Sequence, residues 1–241
     1  MTDQFSRFRL QVGQEPLNRL QAARVAVFGL GGVGGHCAEA LARSGVGALD
    51  LIDNDTVSLT NLNRQLVALH STVGQYKVDV MARRIADINP NCKVTTYPTF
   101  YLPECADSFD LSQYDYVIDC IDTVTAKLEL IRRCHELGVK IISSMGTANK
   151  LDPTKLVVTD ISKTSMCHLA RIMRKELRLR GINHLKVVYS TEQALTPRTD
   201  LPDAMEETNK RSLPSSNAFV PAAAGLILAG EVVRELGEIS L

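Results

Sequence analysis

A glycine-rich segment and an acid beyond it have the pattern of a nucleotide-binding site. The sequence G-x-G-x-x-G directly follows an apolar, β-branched run, and its glycines are Gly29, Gly31, Gly32 and Gly34. Asp53 ends the next apolar run. Such glycines let a backbone approach a phosphate at the start of a helix, and a carboxylate at the next strand end can bind ribose hydroxyls. The pattern predicts a nucleotide site without separating NAD from ATP.

Two cations further along the chain favour ATP. Arg64 lies in the polar segment after Asp53, and Lys77 follows Val-Gly-Gln-Tyr. Fixed positive charges beside a glycine loop suit a triphosphate better than the pyrophosphate of a dinucleotide. Asp122 follows an apolar run that should end at the carboxyl edge of a sheet, where its carboxylate could hold Mg²⁺ against phosphates. We therefore expect ATP and Mg²⁺ as ligands.

The elements that must position these residues alternate between strand and helix. Apolar β-branched runs predict strands, and apolar residues at helical spacing predict helices. In chain order, the expected elements are strand 24–29, helix 34–44, strand 48–53, helix 77–88, strand 93–97, strand 116–120, helix 126–137 and strand 140–144. This alternation predicts an α/β fold with a doubly wound, Rossmann-like and mostly parallel sheet.

The second half of the chain continues the pattern in a less regular order. We expect strand 155–159, helix 168–180, strand 186–190 and a buried apolar helix at 219–230, all on the same sheet. Residues 195–217 are rich in Pro, Ser and charged side chains, and we expect a mobile loop that closes over a substrate. One domain is expected, with a nucleotide-binding half at 20–150 and a substrate-binding and dimerisation half at 151–241.

Composition argues against several classes of protein. The 241 residues include 27 Lys and Arg and 27 Asp and Glu, and the mean hydropathy is -0.01. With no net charge, nucleic-acid contacts would have to come from a local patch. The longest apolar stretch is too short to span a membrane, the first residues lack the apolar core of a signal peptide, and six scattered cysteines form no C-x-x-C pair. We therefore expect a cytoplasmic protein with reduced thiols.

Taken together, the motifs of residues 5–150 resemble those of the adenylating enzymes that activate ubiquitin-like proteins and sulfur carriers, the E1-like superfamily of ThiF and MoeB type. The shared motifs are the glycine segment, the block from Asp53 to Gln65 (D-x-D-x-V, then N-x-N-R-Q), G-x-x-K at Lys77, and Asp122. In that family a carboxylate attacks the α-phosphate of ATP and gives an acyl adenylate and pyrophosphate. The resemblance implies an E1-like adenylation fold and the same chemistry here.

The resemblance also implies roles for individual residues. It assigns Asp53 to the ribose, Asn61, Arg64 and Lys77 to a phosphate clamp, Asp122 to magnesium, and Asp55 and Gln65 to the same nucleotide site. In relatives an N-terminal arginine reaches the ATP of the neighbouring subunit, and Arg7, or less favourably Arg9, has that place here. The implied enzyme is therefore a homodimer whose catalytic residues are Arg7, Arg64, Lys77 and Asp122.

Segments of the second half resemble one branch of this superfamily. Residues 142–153, 160–164, 189–192 and 214–221 are similar to the bacterial enzymes that dehydrate threonylcarbamoyladenosine in tRNA. The resemblance implies that the activated carboxylate belongs to this nucleoside and that the neighbouring carbamoyl group closes a ring with loss of water. Cys167-His168 stands where relatives carry Asp-Pro, so we give that segment no catalytic role.

Rival functions stay open at this point. One is adenylation of the C-terminus of a ubiquitin-like sulfur carrier, although the zinc-binding cysteine pairs usual in those activators are missing; an association with sulfur-transfer proteins also stays open. An NAD-binding oxidoreductase is disfavoured by Arg64 and Lys77. A non-catalytic nucleotide-binding adaptor is disfavoured because every expected phosphate and metal position carries a suitable residue.

A basic stripe independently indicates a polyanionic partner. Its members recur at i, i+3, i+4 and i+7 and so share one face of the expected helix: Arg171, Arg174, Lys175 and Arg178. From residue 163 to 186 there are seven Lys or Arg and one acid, Glu176. Such a stripe can bind tRNA phosphates without reading sequence. The plainer alternatives are a solvated helix face and a dimer contact.

Several other features have both an ordinary and a functional explanation. Cys120 is more simply a buried strand cysteine than a reactive thiol. Glu192 could face a substrate or form a surface salt bridge, and Gly146 could shape a pocket or simply end a strand. The small residues of 221–225 could pack in the core or at a dimer interface.

Overall fold

A seven-stranded sheet forms the centre of the protein in a computed structural model that describes residues 2–198, 200 and 215–240. Its strands are β1 (Arg24–Phe28), β2 (Ala48–Ile52), β3 (Lys93–Tyr97), β4 (Tyr116–Asp119), β5 (Ile141–Ser144), β6 (Leu156–Asp160) and β7 (Lys186–Ser190). They lie in the order β3-β2-β1-β4-β5-β7-β6, and only the β6–β7 pair is antiparallel. The predicted doubly wound, mostly parallel sheet is confirmed, and the second half continues it.

Helices cover both faces of this sheet. They are α1 (Ser6–Val12), α2 (Gln14–Ala22), α3 (Gly34–Arg43), α4 (Lys77–Ile88), α5 (Val124–Leu137), α6 (His168–Leu179) and α7 (Val220–Gly237). The sequence patterns predict five of them but miss α1 and α2, and α7 extends beyond the predicted 219–230. No helix of the described chain combines the length and apolar character that a membrane span requires.

Alternation along the central strands divides the core between the two faces. In β1, Val25 and Val27 pack with buried residues of α3, α4 and α7. Ala26 and Phe28 point to the other face, where they pack with residues of α5 and the chain before β4. Because β1 is buried on both sides, it reads as a continuous apolar run, as is typical of parallel strands.

Close packing of α7 on α3 depends on a glycine. A Cβ built on Gly225 would lie 2.2 Å from the Val33 carbonyl oxygen, so only glycine fits between the two backbones. Pro221 and Ala224 on the same helix are buried as well. Of the two explanations offered for the small residues of 221–225, packing within the core is therefore confirmed for these positions.

A buried ion pair joins β4, α5 and β5. The Lys127 ammonium lies 2.8 Å from Asp119 Oδ2, and both side chains are fully buried. Lys127 also donates to the carbonyl oxygens of Ile121 and Ser144, while Ser143 Oγ donates to Asp119. Every polar atom of the pair thus has partners, which is the condition under which charges are tolerated in a core.

We expect Lys127→Met to lower the free energy of unfolding by about 3–5 kcal/mol, because it leaves the Asp119 carboxylate buried without its counter-charge. Urea denaturation would measure the loss, and failure to fold would agree with it. The control is Arg180→Met, which breaks the partly exposed pair with Glu176 and should cost less than about 1 kcal/mol. A Lys127→Met protein as stable as this control would contradict the prediction.

Candidate functional site

A cleft of about 1190 Å³ opens at the carboxyl ends of β1, β2 and β4. At this point the strand order reverses, since β1 lies between β2 on one side and β4 on the other. Open α/β sheets bind ligands at such switch points. Ten residues predicted for the nucleotide site line this one cleft: Gly29, Gly31, Gly32, Asp53, Asp55, Asn61, Arg64, Gln65, Lys77 and Asp122.

The glycine segment forms a tight turn from β1 into α3. Gly29 has φ +88°, and a Cβ there would lie 2.7 Å from the Cys120 carbonyl oxygen. A Cβ on Gly34 would lie 1.8 Å from the Gly29 carbonyl oxygen. Gly34 does not line the cleft; its small size lets the first turn of α3 fold back on the loop. The turn therefore aims the start of α3, where a helix has backbone N–H groups available to a ligand, at the cleft.

Asp53 and Lys77 are held in a fixed arrangement beside this turn. Asp53 accepts hydrogen bonds from the backbone N–H of Leu30 (2.6 Å) and of Asp55 (2.8 Å). Burial raises the pKa of Asp53, and the nearby ammonium of Lys77 opposes that shift. Lys77 is 4% exposed, and its Nζ lies 2.6 Å from Asp55 Oδ2 and 4.0 Å from Asp53 Oδ1. The ammonium is thus fixed at the cleft by two carboxylates.

Arg64 and Gln65 follow a short 3-10 turn in the wall of the cleft. Arg64 Nη1 donates to the Thr60 carbonyl oxygen and to Asn63 Oδ1, both at 2.9 Å, so the guanidinium is oriented. Gln65 is 8% exposed, and its Oε1 has no hydrogen-bond partner among the described residues. A buried amide without a partner is costly, so its position beside Gly31 suits a ligand that completes its hydrogen bonds.

Asn61 and Asp122 differ in how much of their hydrogen-bonding capacity is already taken up by contacts within the protein. Asn61 Oδ1 accepts the Ser58 N–H at 3.1 Å, so this side chain stabilises the 3-10 turn at the cleft. Asp122 is exposed in the segment after β4, and its only described side-chain contact is with Thr123 Oγ1 at 3.3 Å. Asp122 therefore retains free carboxylate lone pairs at the mouth of the cleft.

Comparison with known proteins identifies the family. The model of the ThiF family matches residues 5–239. The chain belongs to the ThiF family. It is 48% identical to the tRNA threonylcarbamoyladenosine dehydratase of Bacillus subtilis, over 98% of this chain and 95% of that protein. It is 40% identical to the Escherichia coli protein of the same name, over 78% of this chain and 73% of that one.

Solved structures agree with this assignment. The structure of the E. coli tRNA N6-threonylcarbamoyladenosine dehydratase in complex with ATP superposes with a TM-score of 0.86 at 34% identity, over 97% of this chain and 93% of that one. E. coli MccB in complex with ATP, at 20% identity and a TM-score of 0.69, shows the likeness of fold alone. The predicted E1-like fold is confirmed.

The ThiF-family chain builds a second wall of the cleft from the end of β5 and from the part of the chain that follows it. This wall consists of residues 144–148, Leu169, 195–198, 215–216 and Pro221. Gly146 lies in it, as the prediction that it shapes a pocket requires. Of the predicted loop 195–217, residues 199 and 201–214 lie outside the described residues. Thr147, Ala148 and Ser215 lie in the segments 142–153 and 214–221 that carried the resemblance, but no sequence pattern assigned them an individual role, because their place in the cleft depends on contacts between distant segments.

Glu192 has a role that neither sequence-based explanation covers. Its carboxylate accepts hydrogen bonds from the backbone N–H groups of Leu151 and Asp152, both at 3.0 Å, instead of facing the cleft. It forms no salt bridge with any described residue. Among the described residues, Glu192 instead ties two loops behind the second wall together.

Arg7 and Arg9 lie away from the cleft of their own chain. Arg7 is exposed on α1, whereas Arg9 pairs with Asp3 at 2.6 Å. The preceding Phe5 packs beside Gly45, in the turn before β2 and therefore at the amino ends of the strands. Within one chain neither arginine reaches the nucleotide loop, so a role at this cleft requires the cleft of another subunit.

The basic stripe occupies the outer face of α6. Arg171, Lys175 and Arg178 are exposed, and Arg174 is half-buried. Arg174 donates to the carbonyl and hydroxyl oxygens of Thr164 at 2.8 and 2.6 Å, so part of its guanidinium holds the preceding loop. On the opposite face, the buried residues of α6 are Ala170, Met173 and Leu177. The prediction that the four basic residues share one face of the helix, away from its core residues, is confirmed.

The cysteines carry no disulfide, and Cys120 is not set up as a nucleophile. All six thiols are free, and burial raises the pKa of the Cys120 thiol far above its usual range. Cys120 directly follows β4, is half-buried and lines the cleft, so it differs from the expected buried strand cysteine in position, and its raised pKa disfavours the reactive thiolate. Cys167 caps α6, where its sulfur accepts the Ala170 N–H at 3.5 Å. In the described part of the chain, no three His, Cys, Asp or Glu side chains form a metal-binding group.

Proposed function

We propose that this protein is an ATP-dependent tRNA threonylcarbamoyladenosine dehydratase. The observation that carries the proposal is the 48% identity to the B. subtilis enzyme of that name, which extends over 98% of this chain and so includes both walls of the cleft. The ATP complex of the E. coli relative supports the choice of nucleotide. We place the reaction in the cytoplasm, where the proposed substrates are found.

The cleft offers ATP a set of fixed contacts. The turn at Gly31 and Gly32 and the start of α3 would bind phosphate oxygens through backbone N–H groups. Lys77 and Arg64 would neutralise phosphate charge. Gln65 Oε1, which accepts hydrogen bonds, would pair with a hydroxyl or amino donor of the nucleotide. Asp53 retains lone pairs for ribose hydroxyls beyond those used by Leu30 and Asp55.

Asp122 suits a magnesium ion. Mg²⁺ in nucleotide sites keeps several waters and binds one or two carboxylates together with phosphate oxygens. A single exposed carboxylate at the mouth of the cleft fits that donor set. When bound, the ion would neutralise negative charge on the phosphates.

The reaction needs activation of a carboxylate. The threonyl carboxylate of the nucleoside would attack the α-phosphorus of ATP, and pyrophosphate would leave. The neighbouring carbamoyl group would then close on the activated carbonyl carbon and expel AMP, so that the nucleoside loses one water in total. Arg64 and Lys77 would hold the phosphates in line and stabilise the developing charge, and no side-chain nucleophile is required.

We also propose a homodimer in which Arg7 reaches the partner's ATP, because Arg7 is exposed and cannot reach the cleft of its own chain. The proposed division of labour assigns the nucleotide to residues 20–150 and the tRNA to residues 151–241. Adenylation of a sulfur carrier stays the alternative that the following test separates, and an association with sulfur-transfer proteins stays open.

Nucleoside mass spectrometry tests the function. Threonylcarbamoylated tRNA is incubated with the protein, with and without ATP and magnesium, and then digested to nucleosides. We expect the modified nucleoside to lose the mass of one water only when ATP is present. No loss of water, together with ATP–pyrophosphate exchange on addition of a sulfur-carrier protein, would overturn the proposed substrate.

Lys77→Ala and Arg64→Ala should each reduce ATP-dependent turnover by about a hundredfold or more, because each removes a cation from the phosphates. Binding of tRNA, measured by filter retention, should be unchanged. Lys93→Ala, which removes an exposed cation at the start of β3, is the control and should keep full turnover. Turnover that persists in both cleft variants would show that the nucleotide site is misassigned.

Gly34→Ala should weaken ATP binding at least about tenfold, because its Cβ would lie 1.8 Å from the Gly29 carbonyl oxygen and force the turn apart. The matched control is Gly35→Ala, where the nearest atom would be Met81 Cε at 3.6 Å, an ordinary contact. Titration calorimetry with ATP compares the two proteins. Equal affinity in both would contradict the geometry proposed for the phosphates.

Replacement of Lys175 and Arg178 by alanine should weaken tRNA binding and reduce the slope of log affinity against log salt by up to about two, since each of the two side chains would neutralise one phosphate. The control, Lys93→Ala with Lys140→Ala, makes the same change of charge at the amino ends of β3 and β5. Filter binding of tRNA at several salt concentrations measures both. Equal slopes in the two double variants would exclude the α6 stripe as a tRNA-binding surface.

A further inference from the structure

Three separate stretches of the chain meet behind the second wall of the cleft. They are residues 149–152, which follow β5, residues 191–195, which follow β7, and residues 215–217, which precede α7. Leu195 and Ser215 both line the cleft, although they lie on either side of residues 196–214 in the chain. The position of this wall therefore depends on what holds Leu195 and Ser215 in place.

Asn149 makes hydrogen bonds to both of these residues. Its carbonyl oxygen accepts the Leu195 N–H at 2.8 Å, and its own N–H donates to the Ser215 carbonyl oxygen at 2.9 Å. Its side-chain Oδ1 accepts the N–H and the hydroxyl of Ser215 at 2.7 and 2.8 Å. Asn149 thus holds both Leu195 and Ser215. Two of these four hydrogen bonds are accepted by its side-chain oxygen, Oδ1.

The backbone of Asn149 explains why an asparagine suits this position. Its φ is +61°, in the left-handed region that asparagine tolerates better than most residues. Glycine would keep this backbone conformation but would lose the Oδ1 acceptor. Aspartate would keep the acceptor in the same place. The two substitutions therefore separate the side-chain bonds from the backbone conformation.

Residues 215–217 also connect the two walls of the cleft. Asn63 Nδ2, beside Arg64 in the nucleotide wall, donates to the Ser216 carbonyl oxygen at 3.0 Å. Asn217 Nδ2 donates to the Lys150 carbonyl oxygen at 2.6 Å. Ser215 is the point where this connection is anchored to Asn149, so a shift of Ser215 would change the shape of the second wall while Lys77 keeps its own partners.

We propose that Asn149 is a positioning residue for the tRNA substrate, acting through Leu195 and Ser215. The proposal rests on the function proposed above and deepens it, because it assigns control of tRNA binding to a residue that does not line the cleft. Asn149 holds Leu195 and Ser215 in the wall opposite the nucleotide loop. Arg198, three residues after Leu195, is the cation of this wall within the described chain, and its exposed guanidinium pairs with Asp200.

The effect of Asn149 falls mainly on tRNA, because Lys77 and Asp53 keep their own partners. Arg64, although it contacts Asn63, also keeps its hydrogen bond to the Thr60 carbonyl oxygen, so ATP binding changes little.

The test compares Asn149→Gly with Asn149→Asp in the full-length protein. The Kd for threonylcarbamoylated tRNA is measured by filter binding at about 0.2 M salt, where a single added charge is largely screened. The Kd for ATP is measured by calorimetry, and KM and kcat follow from the mass-spectrometric assay. We expect Asn149→Gly to raise Kd and KM for tRNA by about tenfold or more, the scale of two broken hydrogen bonds. The Kd for ATP should stay within about twofold of wild type.

Asn149→Asp should restore tRNA binding to within about threefold of wild type, because Ser215 still finds its acceptor. Equal losses in the two variants, or a parallel loss of ATP affinity in Asn149→Gly, would overturn the proposal and indicate a general structural role. Wild-type protein that binds tRNA but leaves the nucleoside intact would refute the proposed function alone. Unchanged tRNA affinity in Asn149→Gly would refute the positioning role alone.

Discussion

A buried ion pair sets the geometry on which both walls of the cleft depend. The Lys127 ammonium binds Asp119 at the end of β4 and the carbonyl oxygens of Ile121 and Ser144. Ile121 precedes Asp122 in the nucleotide wall, and Ser144 begins the second wall. Because two charges out of water are stable only with complete partners, the segments that supply those partners have little freedom to move. The spacing between the two walls is therefore set from inside the core.

Around this fixed edge, the protein uses its polar groups in two different ways. Asp53 and Asn61 are already hydrogen-bonded to the backbone and mainly shape the loops. Asp122 and the Gln65 amide retain unused hydrogen-bonding capacity, and so they are the groups that a ligand would complete. Lys77 stands between these cases, since its ammonium is held by carboxylates and still lines the cleft. The side chains that shape the cleft are thus held by hydrogen bonds within the protein. Those that would contact a ligand still have hydrogen-bonding capacity available.

What the sequence predicted correctly depends on local patterns, and what it missed depends on long-range contacts. The glycine turn, the strands and α4 follow from apolar runs and spacing within a few residues, so they were found. The short helices α1 and α2 have too few buried residues for a clear pattern. Burial of Lys127 and the backbone contacts of Glu192 arise only when β4, β5 and β7 lie side by side. The roles predicted for individual cleft residues stay predictions, because the structure brings those residues together without a ligand.

The close contact between Gly225 and Val33 joins two segments that are far apart in the sequence and are therefore synthesised at different times. The start of α3 is packed against α7, and a Cβ on Gly32 would lie 3.2 Å from Pro221 of that helix. During synthesis α7 emerges from the ribosome long after the glycine turn, because the other strands of the sheet lie between them in the sequence. The newly made turn therefore lacks this packing partner until α7 has also been synthesised. A contact of such high sequence separation favours slow, late completion of the pocket, and a ribosome-bound fragment lacking α7 would have an unsupported glycine turn.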